Sequence, residues 1–223
     1  MMPLDGPRLP AKFGKTRQLV VFLHGYGADG NDLIDLGQAW RELLPDTAFV
    51  SPHAPEPCAG APYGRQWFPL TFRVRNERWD GVRRAGPMLD AFLDAELERE
   101  GLEDDALALV GFSQGSMMAL HTGLRRRKSM GAIVGYSGIL IGPDDQPLSV
   151  LTPEITARPP VLLVHGDQDQ VVPPMALPYS VEGLKALGVP VEAHMRPGLG
   201  HGIDSAGLRL GGDFLAQAFA RTA

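Results

Sequence analysis

Leu107-Ala-Leu-Val-Gly111-Phe112-Ser113-Gln114-Gly115-Ser-Met-Met-Ala-Leu120 is the stretch from which the rest of the chain can be read. Its first half is a short apolar run without alternation, which predicts a buried strand. Its second half places Met117, Met118, Leu120 and, just beyond, Leu124 at helical spacing. A strand that passes into a helix with no loop between them needs a tight, strained apex. Gly111 and Gly115, two residues to either side of Ser113, let the flanking segments approach without Cβ clashes. Such an elbow holds the Ser113 hydroxyl at the carboxyl end of the strand, where the Gln114 amide faces developing negative charge. Gly-x-Ser-x-Gly alone is a weak signal, because a plain Gly-Ser turn has the same letters. The strand before it and the helix behind it favour a nucleophile.

Similar short apolar runs recur on both sides. Leu19–Leu23, Thr47–Ser51, Ala132–Ser137, Pro160–Val164 and Val189–Arg196 read as strands, most of them covered on both faces. Helices are predicted between them. One follows a cap at Asp29 or Asn31, with Leu33, Leu36, Trp40 and Leu43-Leu44 on one side. A second runs from about Trp79 to Glu100 with a Leu89, Phe92, Leu93, Leu97 stripe; Pro87 starts or kinks it and Gly101 stops it. Others are expected from Met175 to Leu187 and from Ser205 to Phe219. The alternation predicts a single α/β domain over residues 1–223: an open, mostly parallel sheet with helices on both faces. Residues 1–17 are an extended lead-in or a weak edge strand, and little chain is left for a cap domain. Sites in such sheets form beyond the carboxyl ends of strands. The Gly-containing loops after Leu23, Val110, Val164 and Arg196 all stand at such ends.

Composition narrows the function classes. With 44% hydrophobic and 21% charged residues the chain is an ordinary globular one, and a net charge of −5 argues against a nucleic-acid partner. The cationic run Arg125-Arg126-Arg127-Lys128 falls where the helix after the elbow should end and complements its dipole. Cys58 is the one cysteine, so no intrachain disulfide forms and a cytoplasmic location is expected. No apolar run is long enough to cross a bilayer, so stable membrane insertion is not expected. A homodimer is compatible with the sequence, which does not set the oligomeric state. Residues 52–76 are rich in proline and glycine, and a long irregular loop commonly walls a binding site. Trp67 and Phe68 inside it are either part of that wall or a plug onto the core.

A serine hydroxyl needs a base within reach, and the base needs an acid to fix its tautomer. Of six histidines, His201 alone sits downstream of the candidate acids in a Gly-flanked loop at a strand end. His24 and His165 stand in His-Gly pairs suited to loop geometry. Asp167 and Asp169 compete for the acid. Asp167 is nearer the strand and suits bonds to amides of its own turn, whereas Asp169 is farther out, toward His201. A second oxyanion donor is expected from the loop after the first strong strand. The Leu23 amide is favoured, with His24 or Tyr26 as near alternatives. His-Glu-x-x-His and paired Cys/His spacings are missing, so no metal and no cofactor are expected.

Leu23-His-Gly-Tyr-Gly-Ala-Asp-Gly30, Gln66-Trp-Phe68, Gly111-Phe-Ser-Gln-Gly115, His165-Gly-Asp-Gln-Asp169 with Val171-Val-Pro173, and Gly200-His201-Gly together resemble the phospholipase/carboxylesterase family of small, lidless α/β-hydrolases. The resemblance runs from about Leu19 to Phe219. It implies Ser113, Asp169 and His201 as a triad, with the amides of Leu23 and Gln114 as oxyanion hole. It further implies hydrolysis of a small-molecule ester, with short- to medium-chain carboxylic esters expected first. An acyl-protein thioesterase or lysophospholipase would use the same triad, and a hydrolase-like binding module without catalysis is the alternative from another class. Trp67, Phe68, Leu70, Met117 and Val172 are the expected apolar walls. Gln170 stands where the family usually has proline, and Pro69 where an aspartate is common.

Overall fold

A computed structural model describes residues 4–58, 60–71 and 73–221. In chain order the elements are β1 (Arg8–Leu9), β2 (Gln18–Leu23), α1 (Asn31–Trp40), β3 (Thr47–Val50), β4 (Glu56–Pro57), β5 (Arg65–Gln66), α2 (Glu77–Glu100), β6 (Leu107–Phe112), α3 (Gln114–Gly123), β7 (Ala132–Tyr136), β8 (Val161–Gly166), α4 (Ala176–Ala186), β9 (Val191–Arg196) and α5 (Ser205–Ala220). β4 and β5 form a small ladder of their own. The other seven strands form one sheet in the order β1-β3-β2-β6-β7-β8-β9, in which only β1 is antiparallel. The lead-in thus supplies a weak edge strand; residues 1–3 of it lie outside the described residues.

The uninterrupted apolar strands are explained by layers on both sides. Leu19, Val21, Leu23, Leu107, Leu109, Ile133, Val161 and Leu163 pack toward α2, α3 and α4. The alternate residues Val20, Phe22, Ala108, Val110, Val134, Tyr136, Leu162 and Val164 face α1 and α5, meeting Trp40, Leu215 and Phe219. Each of the Val, Leu, Ile and Phe side chains among them contributes about 1.5–3 kcal/mol by leaving water. The chain turns from β2 to β3 on one side and returns to β6 on the other, so the order reverses between β2 and β6. Their register sets Leu23 opposite Gly111. The crevice at that reversal is where an open α/β sheet builds its site, and both the serine elbow and the loop after Leu23 open into it.

Several boundaries differ from expectation for local reasons. α1 is capped by Gly30 without a side-chain bond; Asp29 acts one residue earlier, its Oδ1 accepting from the Asn31 amide at 2.8 Å. The helix ends at Trp40, which leaves Leu43 exposed while Leu44 is buried. Pro87 stands inside α2, neither at its start nor at its end. The polar connection after β7 contains a 3₁₀ turn, Leu148–Glu154, whose Leu148 and Leu151 enter the core. Of the cationic run, Arg125 does bond the last turn of α3, through Nη1 to the His121 carbonyl at 2.9 Å. Arg126 instead is buried and ties α3 to Asp90, Asp94 and Asp104. Among the described residues no helix is long and apolar enough to cross a membrane.

Candidate active site

Ser113 occupies the turn between β6 and α3 at φ 54°, ψ −116°, a conformation in which a residue with a side chain is strained. Two close approaches force it. A Cβ on Gly115 would overlap the Leu23 carbonyl oxygen, and one on Gly111 would overlap the Gly115 carbonyl. The elbow is thereby wedged between β2 and its own helix. Gln114 is the first residue of α3, so its N–H has no acceptor within the helix and remains available at the dipole's positive end. Ser113 is 8% exposed and borders a cavity of about 1070 Å³.

Asp169 and His201, the candidate acid and base, come from the loops after β8 and β9. His201 Nδ1 lies 2.7 Å from Asp169 Oδ2. The other carboxylate oxygen accepts from the Val171 and Val172 amides, each at 2.9 Å. His165 Nε2 adds a contact at 3.3 Å to Oδ2 while meeting the Val172 carbonyl at 2.9 Å. Burial alone would raise the Asp169 carboxyl, but the bond to His201 and the two amides outweigh it and hold the group below the usual carboxylate value. Neither amide belongs to Gln170, so proline at that position would remove no bond to the acid. With Nδ1 engaged, Nε2 is the nitrogen left for chemistry, and the ring packs on Phe112 with centroids 4.9 Å apart. His201 and Ser113 line the same cavity. Among the described residues no hydrogen bond joins them directly, a common state of catalytic pairs without substrate.

Asp167 has another task. Its Oδ1 accepts from the Gly198 amide at 2.7 Å, so it bonds the turn that leads to His201 and not its own turn. Asp167→Asn should weaken that charge-assisted bond, lowering stability by about 1–2 kcal/mol and kcat only modestly. Melting temperature and kcat measured on the same preparation test this.

Two expected walls are corrected. Trp67 and Phe68 are 1% and 0% exposed and do not border the cavity. The Gln114 side chain turns the pair inward: Oε1 accepts from the Trp67 amide at 2.9 Å, and Nε2 donates to the Phe68 carbonyl at 2.8 Å. Trp67 Nε1 then donates to the His24 carbonyl at 3.0 Å. Both aromatic residues plug the loop onto the core. Trp67→Ala should therefore cost about 3–5 kcal/mol in chemical denaturation, whatever the size of the ester used to assay it.

Leu70, Met117 and Val172 do border the cavity. Much of the remaining wall comes from residues without a motif: Ile139, Leu140 and Ile141 after β7, with Val171, Met175 and Tyr179 before and in α4. The loop after β7 is held against the start of α2 by a reciprocal pair. The Asn76 amide donates to Asp144 Oδ2 at 2.6 Å, and the Asp144 amide donates to Asn76 Oδ1 at 2.7 Å. That this loop leaves a strand's carboxyl end was the available signal.

Leu23, the expected second oxyanion donor, does not reach the cavity. It lies in the β2–β6 ladder and is fully buried, whereas Gly25 and Tyr26 border the cavity. Among the described residues no hydrogen bond takes up the Tyr26 amide. His24 shapes the loop: Nδ1 meets the Gly25 carbonyl at 2.8 Å, and Nε2 accepts from the Ala54 amide at 3.0 Å. Burial pushes the His24 pKa down to about 4. The folded chain then binds fewer protons than the unfolded chain between about pH 4 and pH 6.5, so stability is full above that window and falls as pH drops through it. The slope from this residue is roughly 1.4 kcal/mol per pH unit. Urea titrations of His24→Gln across the same window should show a correspondingly shallower dependence.

The chain is similar to known proteins over nearly its whole length. Residues 5–218 match the family described as Phospholipase/Carboxylesterase. The crystal structure of esterase PE8 superposes with a TM-score of 0.92 at 45% identity, covering 97% of this chain and 100% of that one. Acyl-protein thioesterase 1 of Gibberella zeae is 29% identical over 194 residues, 82% of each chain. Esterase YpfH of Escherichia coli is 29% identical over 200 residues, 90% of this chain and 82% of that one.

Proposed function

The chain belongs to the phospholipase/carboxylesterase family, a group of esterase- and thioesterase-type hydrolases, and from that premise we propose that it is a serine carboxylesterase with Ser113, His201 and Asp169 as its triad. Ser113 Oγ attacks the acyl carbonyl while His201 Nε2 takes its proton. Asp169 holds the imidazole in one tautomer and stabilises the imidazolium. The oxyanion is received by the amides of Gln114 and Tyr26, both of which border the cavity. His201 returns the proton to the leaving alkoxide. Water then enters along the same path and frees the acid from the acyl-enzyme. Every proton and electron pair is handled by side chains and substrate, so the reaction calls on no cofactor. The observation that carries the reading is the short Asp169–His201 bond opening onto the same cavity as a strained serine.

Substrate length follows from the walls. Leu70, Met117, Val172, Ile139 and Met175 offer an apolar lining, and each methylene buried there is worth up to about 0.8 kcal/mol. A p-nitrophenyl ester series should show kcat/KM rising over the first several carbons and then flattening. The thioesterase reading is favoured by the relatives named acyl-protein thioesterase 1. It predicts a rise that continues to palmitoyl thioesters, and that result would displace the short-chain reading. A binding module would turn over none of them. We also place the protein in the cytoplasm, in keeping with a single, buried cysteine; cell fractionation tests this.

A further inference from the structure

The far end of α3 carries polar side chains that ester hydrolysis leaves unused. His121 and Thr122 are 6% and 4% exposed, and neither His121 Nδ1 nor Thr122 Oγ1 has a hydrogen-bond partner among the described residues. An unsatisfied buried polar atom costs about 1–3 kcal/mol, so two side by side point to a partner from outside the chain. Space for one exists. The two residues border a cleft of about 330 Å³ between α2 and α3, at the small end of ligand pockets.

The opposite wall is built against helix propensity. Gly86 and Pro87 stand in the middle of α2, where they cost about 1 and about 3 kcal/mol relative to alanine. What Gly86 provides is room. A Cβ there would lie 3.2 Å from His121 Cδ2, 3.5 Å from Nε2 and 3.6 Å from Thr122 Oγ1. The helix-breaking pair thus lies over the Cδ2–Nε2 edge of the His121 ring and the orphaned Thr122 hydroxyl, a broken local rule of the kind that marks a site.

Charge identifies the ligand class. The Arg83 and Arg125 guanidiniums stand 5.2 and 5.6 Å from the Trp79 ring centroid at the cleft. Arg125 is balanced by Glu154, with bonds of 2.9 and 2.8 Å. Asp90 is engaged by Arg126 at 2.8 Å. Arg83 is exposed at the rim of the cleft and has no ion pair among the described residues, so its guanidinium is free to meet an incoming anion. Burial, then Arg125 and Arg83, push the His121 pKa down to about 3, so its ring enters the site as a neutral donor and acceptor.

We propose that the α2–α3 cleft is a second ligand site for a small molecule bearing a compact oxyanion, a phosphate or a carboxylate, with Arg83 matching its charge and His121 and Thr122 hydrogen-bonding it. The test is a titration of the intact protein with inorganic phosphate and, separately, acetate, followed by the NMR resonances of the His121 ring. A saturable shift is expected, and the tighter of the two anions identifies the group. Arg83→Gln should weaken binding about tenfold or more. Gly86→Ala, a better helix former whose methyl presses on the His121 ring and the Thr122 hydroxyl, should weaken binding about tenfold or more without unfolding the protein. Both variants should hydrolyse esters like the parent. The proposal is overturned if neither anion gives a saturable shift up to tens of millimolar, or if Arg83→Gln titrates like the parent. Either result would mean a cleft occupied by water or an adventitious ion only.

Discussion

Ser113→Ala should give a folded protein whose kcat on a short-chain ester is about 10⁶ lower, with KM little changed. That is the scale on which removal of a triad nucleophile acts in serine hydrolases, because the rest of the triad then has nothing to activate. Stability should stay within about 0.5 kcal/mol. The Ser113 backbone is held by its amide bond to the Tyr136 carbonyl at 2.9 Å and by the Gly111 and Gly115 contacts, none of which the hydroxyl makes. Parallel kcat and melting-temperature measurements separate loss of chemistry from loss of fold.

Asp169→Asn should lower kcat by about 10⁴. The carboxylate does two things that an amide of the same shape does not: it keeps the Nδ1 proton in place and it stabilises the imidazolium. Asparagine can also present its NH₂ to His201 and select the wrong tautomer. A second signature follows from linkage. Because the Asp169 carboxyl is held below its usual value in the fold, its contribution to stability is present above the unfolded-state value and is lost as pH falls through the folded-state one. The Asn variant should therefore lack that part of the acid-induced loss of stability, read from denaturant midpoints below about pH 5. If Asp169→Asn turns over normally and Asp167→Asn is the dead enzyme, the acid has been assigned one turn too far out.

Much of this architecture is legible in the sequence because it is local. Leu19–Leu23 and Pro160–Val164 read as strands buried on both faces, and Leu19–Leu23 and Val161–Val164 are buried so. The Gly111-x-Ser113-x-Gly115 elbow is spelled out in five residues, although the conflict that demands Gly115 comes from the Leu23 carbonyl. What the sequence does not display depends on contacts far along the chain. Trp67 and Phe68 look the same in an irregular loop whether they face a ligand or the core. The Gln114 side chain, 47 residues from Trp67, turns them inward. The sequence favours the Leu23 amide over those of His24 and Tyr26, and only the depth of the β2–β6 ladder turns the choice toward Tyr26. The wall at Ile139–Ile141 is hidden because a polar connection follows it; the reciprocal Asn76–Asp144 pair sets it beside the cavity. His121 is a lone histidine on a buried helix, a pattern that is structural in most proteins, and its orphaned nitrogen is visible only in three dimensions.

The claim on which the functional account stands is that one serine, Ser113, carries the acyl group. Labelling with a fluorophosphonate, followed by intact mass and peptide mapping, addresses it directly. One adduct per chain is expected, on the peptide containing Gly111–Gly115 and on Ser113 within it, with ester hydrolysis lost in proportion to labelling. An adduct on Ser116, Ser137 or any other residue, or undiminished hydrolysis by fully labelled protein, would contradict it.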